Sequence, residues 1–264
     1  MSGGGMPGAA AARRPFVVGN WKMQLPVSVA AETARAIARA LPPLPDRDVA
    51  VAPSFPALLP VAEALRGTPV QLAAQDLFWK DDGPFTGEVS GPMLVETGAR
   101  AVIVGHSERR QHLGETDAMV GLKTWAALRA GLVPIVCVGE QQDDRDGQRH
   151  ERIVRDMLLR SLESLPEEAA ETLVIGYEPV WAIGTGCSAT AADACEMHAC
   201  LREALATLFG PTASRIRIVY GGSVTEQNID ELMAQPDVDG VLVGGASHRA
   251  ESFVRIAAFG TPSR

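Results

Sequence analysis

Residues 177–186 read YEPVWAIGTG and set a carboxylate, Glu178, at the end of the apolar run TLVIG (172–176). Pro179 stiffens the chain directly after it, and Val180 and Trp181 form a bulky apolar tip. Glycines at 184 and 186 let backbone N–H groups approach an anion closely. A base beside a stiff hinge and a glycine-bearing stretch suits a lid over a reacting carbon. Glu-Pro alone reads as an ordinary loop with a solvated carboxylate; the whole decapeptide does not. Lys22, in GNWKM (19–23), follows another apolar run. A lysine is ordinarily a solvated surface charge, but beside an anion site it is a fixed cation. His106, in GHSERR (105–110), precedes the helix-like turn SERRQHL. The partial positive charge of a helix N-terminus disfavours an imidazolium there and leaves a neutral ring that can donate to a carbonyl oxygen.

Two further segments, YGGS (220–223) and GGAS (244–247), pair glycines with a serine after the last two apolar runs. Either alone is a plain turn; the two together fit a phosphate cradle of backbone N–H groups and a short helix start. A carboxylate base, a neutral donor to oxygen, a cation and a phosphate handle suit proton abstraction next to a carbonyl. The phosphate supplies binding energy remote from the reacting carbons. The chain has no CxxC pair, no Cys/His cluster of zinc spacing, no GxGxxG fingerprint and no activated Ser or Cys nucleophile. No metal and no cofactor is therefore expected. Cys137, Cys187, Cys195 and Cys200 read as free thiols of a reducing compartment. His112, His150, His198 and His248 fall in or beside helix candidates and read as structural.

These groups need a frame. Short β-branched runs recur eight times: 16–20, 49–53, 70–74, 101–105, 133–139, 172–176, 216–222 and 241–245. Each is apolar nearly throughout, as in parallel strands covered on both faces. Helix-like stretches lie between them, among them 29–41, 115–131 and 189–209. Eight strand-then-helix units in 264 residues indicate an α/β fold, a single-domain (β/α)8 TIM barrel, with an open doubly wound sheet as the second choice. Asn20, His106, Glu140, Glu178, Tyr220 and the 244–245 glycines all follow a strand candidate, so a barrel gathers them at its C-terminal mouth. Residues 1–14, small apart from two arginines, read as a disordered extension, and 15–264 as the catalytic barrel. The net charge of −8 argues against a nucleic-acid surface. No apolar run is long enough to span a membrane.

With these residues in view, the chain resembles the triosephosphate isomerase family from about residue 15 to residue 260. The matching segments are GNWKM, AAQ (73–75), FTGE (85–88), GHSERR, CVGE (137–140), YEPVWAIGTG, YGGSV and GVLVGGAS. The resemblance implies interconversion of dihydroxyacetone phosphate and D-glyceraldehyde 3-phosphate in glycolysis and gluconeogenesis, in the cytoplasm and without a cofactor. It implies Glu178 as the base between C1 and C2 and His106 as the electrophile at the oxygens. Lys22 with Asn20 stabilises the negative charge, and Glu108 belongs to the same site. Gly184, Ser223, Gly244 and Gly245 hold the phosphate, and residues 179–186 form the lid. Tyr220 latches the closed lid, and Glu140 meets Trp181 when it is open. FTGE resembles a loop inserted into a neighbouring subunit, with Thr86 reaching toward the neighbour's Asn20, so a homodimer through the 75–90 loop is implied. The alternatives are an isomerase of a larger sugar phosphate and a non-catalytic phosphate-binding or scaffold protein on the same barrel.

Three positions depart from the family pattern. Cys187-Ser188-Ala189 stands where Lys-Thr-Ala is frequent, which bears on the rate of lid closure. Asp76 replaces an asparagine, removing an amide donor near the subunit interface and adding a charge. His248-Arg249 replaces an apolar-then-Lys pair beyond the phosphate cradle, with little effect on chemistry expected.

Overall fold

The structure, a computed structural model, describes residues 13–183 and 189–260. Eight strands run parallel in chain order: β1 (Phe16–Asn20), β2 (Asp48–Ala52), β3 (Gln71–Ala74), β4 (Ala101–Val104), β5 (Val133–Val138), β6 (Val174–Tyr177), β7 (Arg217–Tyr220) and β8 (Gly240–Val243). Pairing of β1 with β8, from Phe16 opposite Gly240 to Gly19 opposite Val243, closes the barrel. The closed (β/α)8 barrel expected from the sequence is the fold observed, and the open sheet is excluded.

The helices among the described residues are α1 (Val27–Ala40), α2 (Leu58–Leu65), α3 (Gly91–Glu96), α4 (Ser107–Leu113), α5 (Asp117–Arg129), α6 (Gln142–Asp146), α7 (His150–Leu162), α8 (Ala191–Phe209), α9 (Ile229–Met233) and α10 (Ala250–Ala257). Their apolar spacing faces the strands: α1 buries Ala30, Ala34 and Ile37, a three-to-four-residue stripe. Caps fix the ends that bear on the site. The Thr190 hydroxyl accepts from the Asp193 N–H at 3.1 Å, and the Asp193 carboxylate accepts from the Thr190 N–H at 2.9 Å, starting α8 just past the lid segment.

Strand alternation divides the core into two. Phe16, Val18, Ala50, Ala73, Ile103, Ile135, Val174, Val219 and Leu242 fill the barrel interior. Their neighbours Val17, Val49, Val51, Val102, Val104 and Ile175 pack outward under the helices. Both faces of each strand are thus buried, which explains apolar runs without alternation.

The N-terminal boundary is a correction. Residues 1–12 lie outside the described residues, but Arg13 and Arg14, assigned above to a disordered extension, are bound to the barrel. Arg13 Nε donates to Asp239 at 2.6 Å, and Arg14 Nε to Asp48 at 2.8 Å. Among the described residues no helix is long and apolar enough to cross a membrane. Cys137, Cys195 and Cys200 are free thiols; Cys187 lies outside the described residues.

Candidate active site

The C-terminal strand ends surround a cleft of about 330 Å³ lined by Asn20, Lys22, His106, Glu178, Ser223, Gly244 and Gly245. Every described residue proposed for catalysis or phosphate binding reaches this cleft except Glu108, which stands behind Lys22. The Lys22 ammonium donates to Glu108 Oε1 at 2.6 Å. Gly184 lies outside the described residues.

Glu178 follows β6 and is 1 % exposed. Its backbone N–H donates to the Val138 carbonyl at 2.8 Å, which lays the residue across the end of β5. That contact explains Gly139: a Cβ there would sit 1.7 Å from the Glu178 carbonyl oxygen. Gly221 does the same for the side chain, since its Cβ would lie 2.9 Å from Glu178 Cγ. The carboxylate thus occupies a slot formed by two missing side chains. Its Oε2 accepts from the buried Ser107 N–H at 2.9 Å, the first amide of α4, and its Oε1 lies 3.1 Å from His106 Nε2.

His106 is the N-cap of α4, and its Nδ1 accepts from the Glu108 N–H at 3.2 Å. A ring nitrogen that accepts carries no proton, so the proton of the neutral ring is on Nε2, the nitrogen facing the cleft and Glu178. The helix start therefore selects the tautomer.

Lys22 has φ +51°, in the left-handed region that non-glycine residues rarely enter. The conformation is held from two sides. The Lys22 N–H donates to Asn20 Oδ1 at 3.0 Å, and the Lys22 carbonyl accepts from Gln75 Nε2 at 2.8 Å. Asn20 is thereby seen to shape the Lys22 turn, in addition to lining the cleft.

On the other side of the cleft, Gly244 and Gly245 begin a short 3-10 turn, Gly245–His248. Ser247 closes it, its N–H and hydroxyl both donating to the Gly244 carbonyl, at 2.9 and 2.7 Å. Leu242 and Ile183 add apolar wall to the cleft.

The start of the lid segment is docked. Residues 180–182 form a 3-10 turn, the Trp181 indole donates to Glu140 Oε1 at 2.8 Å, and the Val180 N–H donates to the Glu140 carbonyl at 3.0 Å. Tyr177 also donates its hydroxyl to Glu140 Oε1, at 3.1 Å. Burial, then the Glu140 charge, keeps the Tyr177 phenol well above its ordinary pKa and so protonated as a donor. The Tyr220 hydroxyl is buried without a hydrogen-bond partner among the described residues, and burial pushes its pKa up to about 12. Its expected latch contact falls on residues outside the described ones.

Cys137, at the barrel end of β5, is fully buried; burial and then the Glu178 carboxylate hold its thiol well above the ordinary range. Sequence reading did not single out Gly139, Leu242, Gln75 or Tyr177, and took Gly221 only as part of the phosphate cradle. Gly139 carried a usable signal, because it stands inside the quoted CVGE segment directly after a strand.

Comparison with known proteins agrees with this geometry. The family profile described as triosephosphate isomerase matches residues 15–260. A triosephosphate isomerase of Chloroflexus aurantiacus is 52% identical over 245 residues, covering 92% of this chain and 98% of the relative. One of Moorella thermoacetica is 51% identical over 247 residues, with the same coverages of 92% and 98%. The crystal structure of triosephosphate isomerase from Bartonella henselae superimposes with a TM-score of 0.84 at 38% identity, over 92% of this chain and 98% of that one.

Proposed function

We propose roles for individual residues from one premise: this chain belongs to the triosephosphate isomerase family. It is an intramolecular aldose-ketose isomerase that interconverts dihydroxyacetone phosphate and D-glyceraldehyde 3-phosphate. The observation that carries the assignment of roles is the pairing of Glu178 with the Nε2 of His106 at 3.1 Å in a cleft also lined by Ser223, Gly244 and Gly245. A triose phosphate fits this lining, with its phosphate at the glycines and its reacting carbons against the carboxylate.

Glu178 removes a proton from C1 of dihydroxyacetone phosphate. The C–H electron pair becomes the C1–C2 double bond, and the C2 carbonyl π pair moves onto its oxygen. His106 Nε2–H donates toward that oxygen, and the Lys22 ammonium stabilises the enediolate charge. Returning the proton to C2, with proton exchange between the two oxygens, gives the aldehyde. Glu178 is bonded to Ser107 as it stands, so it must turn from that N–H to face the carbon. Lid closure over residues 179–186 keeps water from the enediolate, which would otherwise lose its phosphate.

The assembly belongs to the same reading. Residues 80–88 are all exposed, ahead of a Phe78–Ser90 bridge that closes the loop at its base. Phe85 packs on Phe78 with ring centroids 4.5 Å apart yet is 37% exposed. A projecting apolar-tipped loop suits insertion into a second copy, with Thr86 reaching the partner's Asn20. The homodimer and a cytoplasmic location are part of the proposal.

A coupled assay of pure protein on D-glyceraldehyde 3-phosphate tests the reaction; absence of turnover sinks it. Sedimentation at assay concentration tests the assembly, and a fully active monomer rules out the inserted loop.

A further inference from the structure

A group of four charges, three of them buried and the fourth, Arg109, partly exposed, lies beside the site without touching the cleft. Asp76, one residue past Gln75 at the end of β3, is 4% exposed; Glu115, between α4 and α5, is 6% exposed, and Lys123 of α5 is 2% exposed. The Lys123 ammonium donates to Asp76 Oδ1 at 2.6 Å and also to Glu115 Oε1. Arg109 of α4 spans the same two carboxylates. Its Nη2 lies 2.9 Å from Asp76 Oδ2, and its Nε donates to Glu115 Oε1 at 2.5 Å. Glu115 Oε2 is buried without a partner among the described residues. Lys123, Glu115 and Arg109 are the charged groups that face Asp76, and the four formal charges sum to zero.

Arg109 is where this cluster meets the chemistry. It directly follows Glu108, the partner of Lys22, in the same turn of α4 that begins with the His106 cap and the Ser107 N–H bonded to Glu178. Holding its guanidinium on two fixed carboxylates holds that turn. Asp76 anchors the guanidinium at one end and sits at the root of the 75–90 loop.

We propose that Asp76 is a positioning residue for the turn 106–109, acting through Arg109, and that the charge on Asp76 makes the alignment of His106 and Glu108 depend on pH. The inference rests on the assignment of that turn to the active site given above. Burial, opposed by Lys123 and reinforced by the Glu115 charge, raises the Asp76 carboxyl to about 6. The bonds from Lys123 and Arg109 overcome burial at Glu115 and hold it below the ordinary range. Asp76 is therefore the carboxylate that takes the proton first. Once protonated, it no longer balances Arg109, and the guanidinium is left with Glu115 alone.

The sign has a consequence. A carboxyl whose folded pKa is raised favours the folded state most when protonated, so ionising Asp76 lowers stability as pH rises from about 3.8 to about 6. The charge is thus unfavourable for folding, and in this proposal its return is in catalysis.

The test is the ratio of kcat/KM for wild type over Asp76→Asn, measured from about pH 5 to about pH 8. The substrate's own ionisation cancels in the ratio. The ratio is expected to be roughly three to ten near pH 8, carried by kcat with KM little changed, and to fall toward one through a midpoint near 6. Asp76→Glu, which keeps the charge, is expected to restore part of the step. A second variant, Arg109→Gln, leaves the Lys123–Asp76 pair intact and is expected to lack the step, so the ratio of wild type over Arg109→Gln shows the same rise near pH 6 and decides the matter where Asp76→Asn folds poorly. A ratio that stays flat with pH, or a step that persists in Arg109→Gln, overturns the proposal. Glu178→Gln run alongside separates the two readings: if it retains turnover, the site assignment fails; if it is inactive and the ratio is flat, only this inference fails.

Discussion

The two ends of the barrel satisfy their charges in opposite ways. At the N-terminal end, Asp239 accepts from Arg13 on one oxygen at 2.6 Å, and from Arg202 and the Ile218 N–H on the other at 2.7 and 2.8 Å. Asp48 likewise takes Arg14 on one oxygen and Arg217 on the other, each at 2.8 Å. At the C-terminal mouth, Tyr220 Oη, Glu140 Oε2 and Glu115 Oε2 are buried with no partner among the described residues, and Lys22 sits in a left-handed backbone conformation. Unmade hydrogen bonds and backbone strain lower stability. At the mouth they fall beside groups that the proposed reaction needs free to meet a substrate or a moving lid. The base is built to stay as it is; the mouth is built to change partners.

The contrast breaks most sharply if single changes at each end do not separate activity from stability. Glu178→Gln keeps the shape of the side chain and its bond to Ser107 while removing the base. It is expected to lower kcat by about a thousandfold or more and to leave the melting temperature nearly unchanged. Measured kcat within tenfold of wild type would mean that another group takes the proton. Asp239→Ala is the counterpart. It leaves Arg13 and Arg202 facing each other with only the half-exposed Asp237, a loss of about 3–5 kcal/mol by comparison with other broken buried pairs. In a barrel of this size that is a fall of roughly ten degrees in Tm. Steady-state kinetics at low temperature should stay within about twofold of wild type, because no described contact links Asp239 to the cleft. A normal Tm, or a large loss of kcat without unfolding, would remove the distinction between the ends.

The same division governs what the sequence disclosed. Strands buried on both faces leave uninterrupted apolar runs, so all eight could be read to within two residues, and the polar residues standing just past them marked the mouth. Residue types carried the roles proposed for Glu178, His106 and Lys22, since each chemistry requires that side chain. Close approach was not legible. Gly139 is demanded by the Glu178 carbonyl, a residue distant in sequence, and Gly221 by the Glu178 side chain. Nor was Gln75 legible as the group that braces Lys22, because a glutamine after a strand has no preferred use. Arg13 and Arg14 looked like part of a polar tail because their partners, Asp239 and Asp48, become neighbours only when the barrel closes. The Asp76–Lys123–Glu115–Arg109 cluster was hidden for the same reason: it joins elements across three loops, and the sequence showed only an acid near an interface.

His198 is the exception on the base side, and so it offers the finest test. It is fully buried on α8, its Nδ1–H donates to the Asp237 carbonyl at 2.9 Å, and its Nε2 has no partner among the described residues. Burial holds its pKa down, from 6.5 to about 4. A histidine depressed in the folded state contributes stability above the unfolded value that is lost as pH falls through the window between the two. The loss is expected to grow by about 1.4 kcal/mol per pH unit below 6.5 and to reach roughly 3 kcal/mol near pH 4. His198→Asn keeps a donor for Asp237 but cannot take a proton. Urea unfolding of the two proteins should therefore give stabilities that converge on acidification. Asp76 titrates in the same range with the opposite sign, but it is present in both proteins and cancels in the difference. Parallel curves from neutral pH to about pH 4 would show that His198 is not kept neutral by burial.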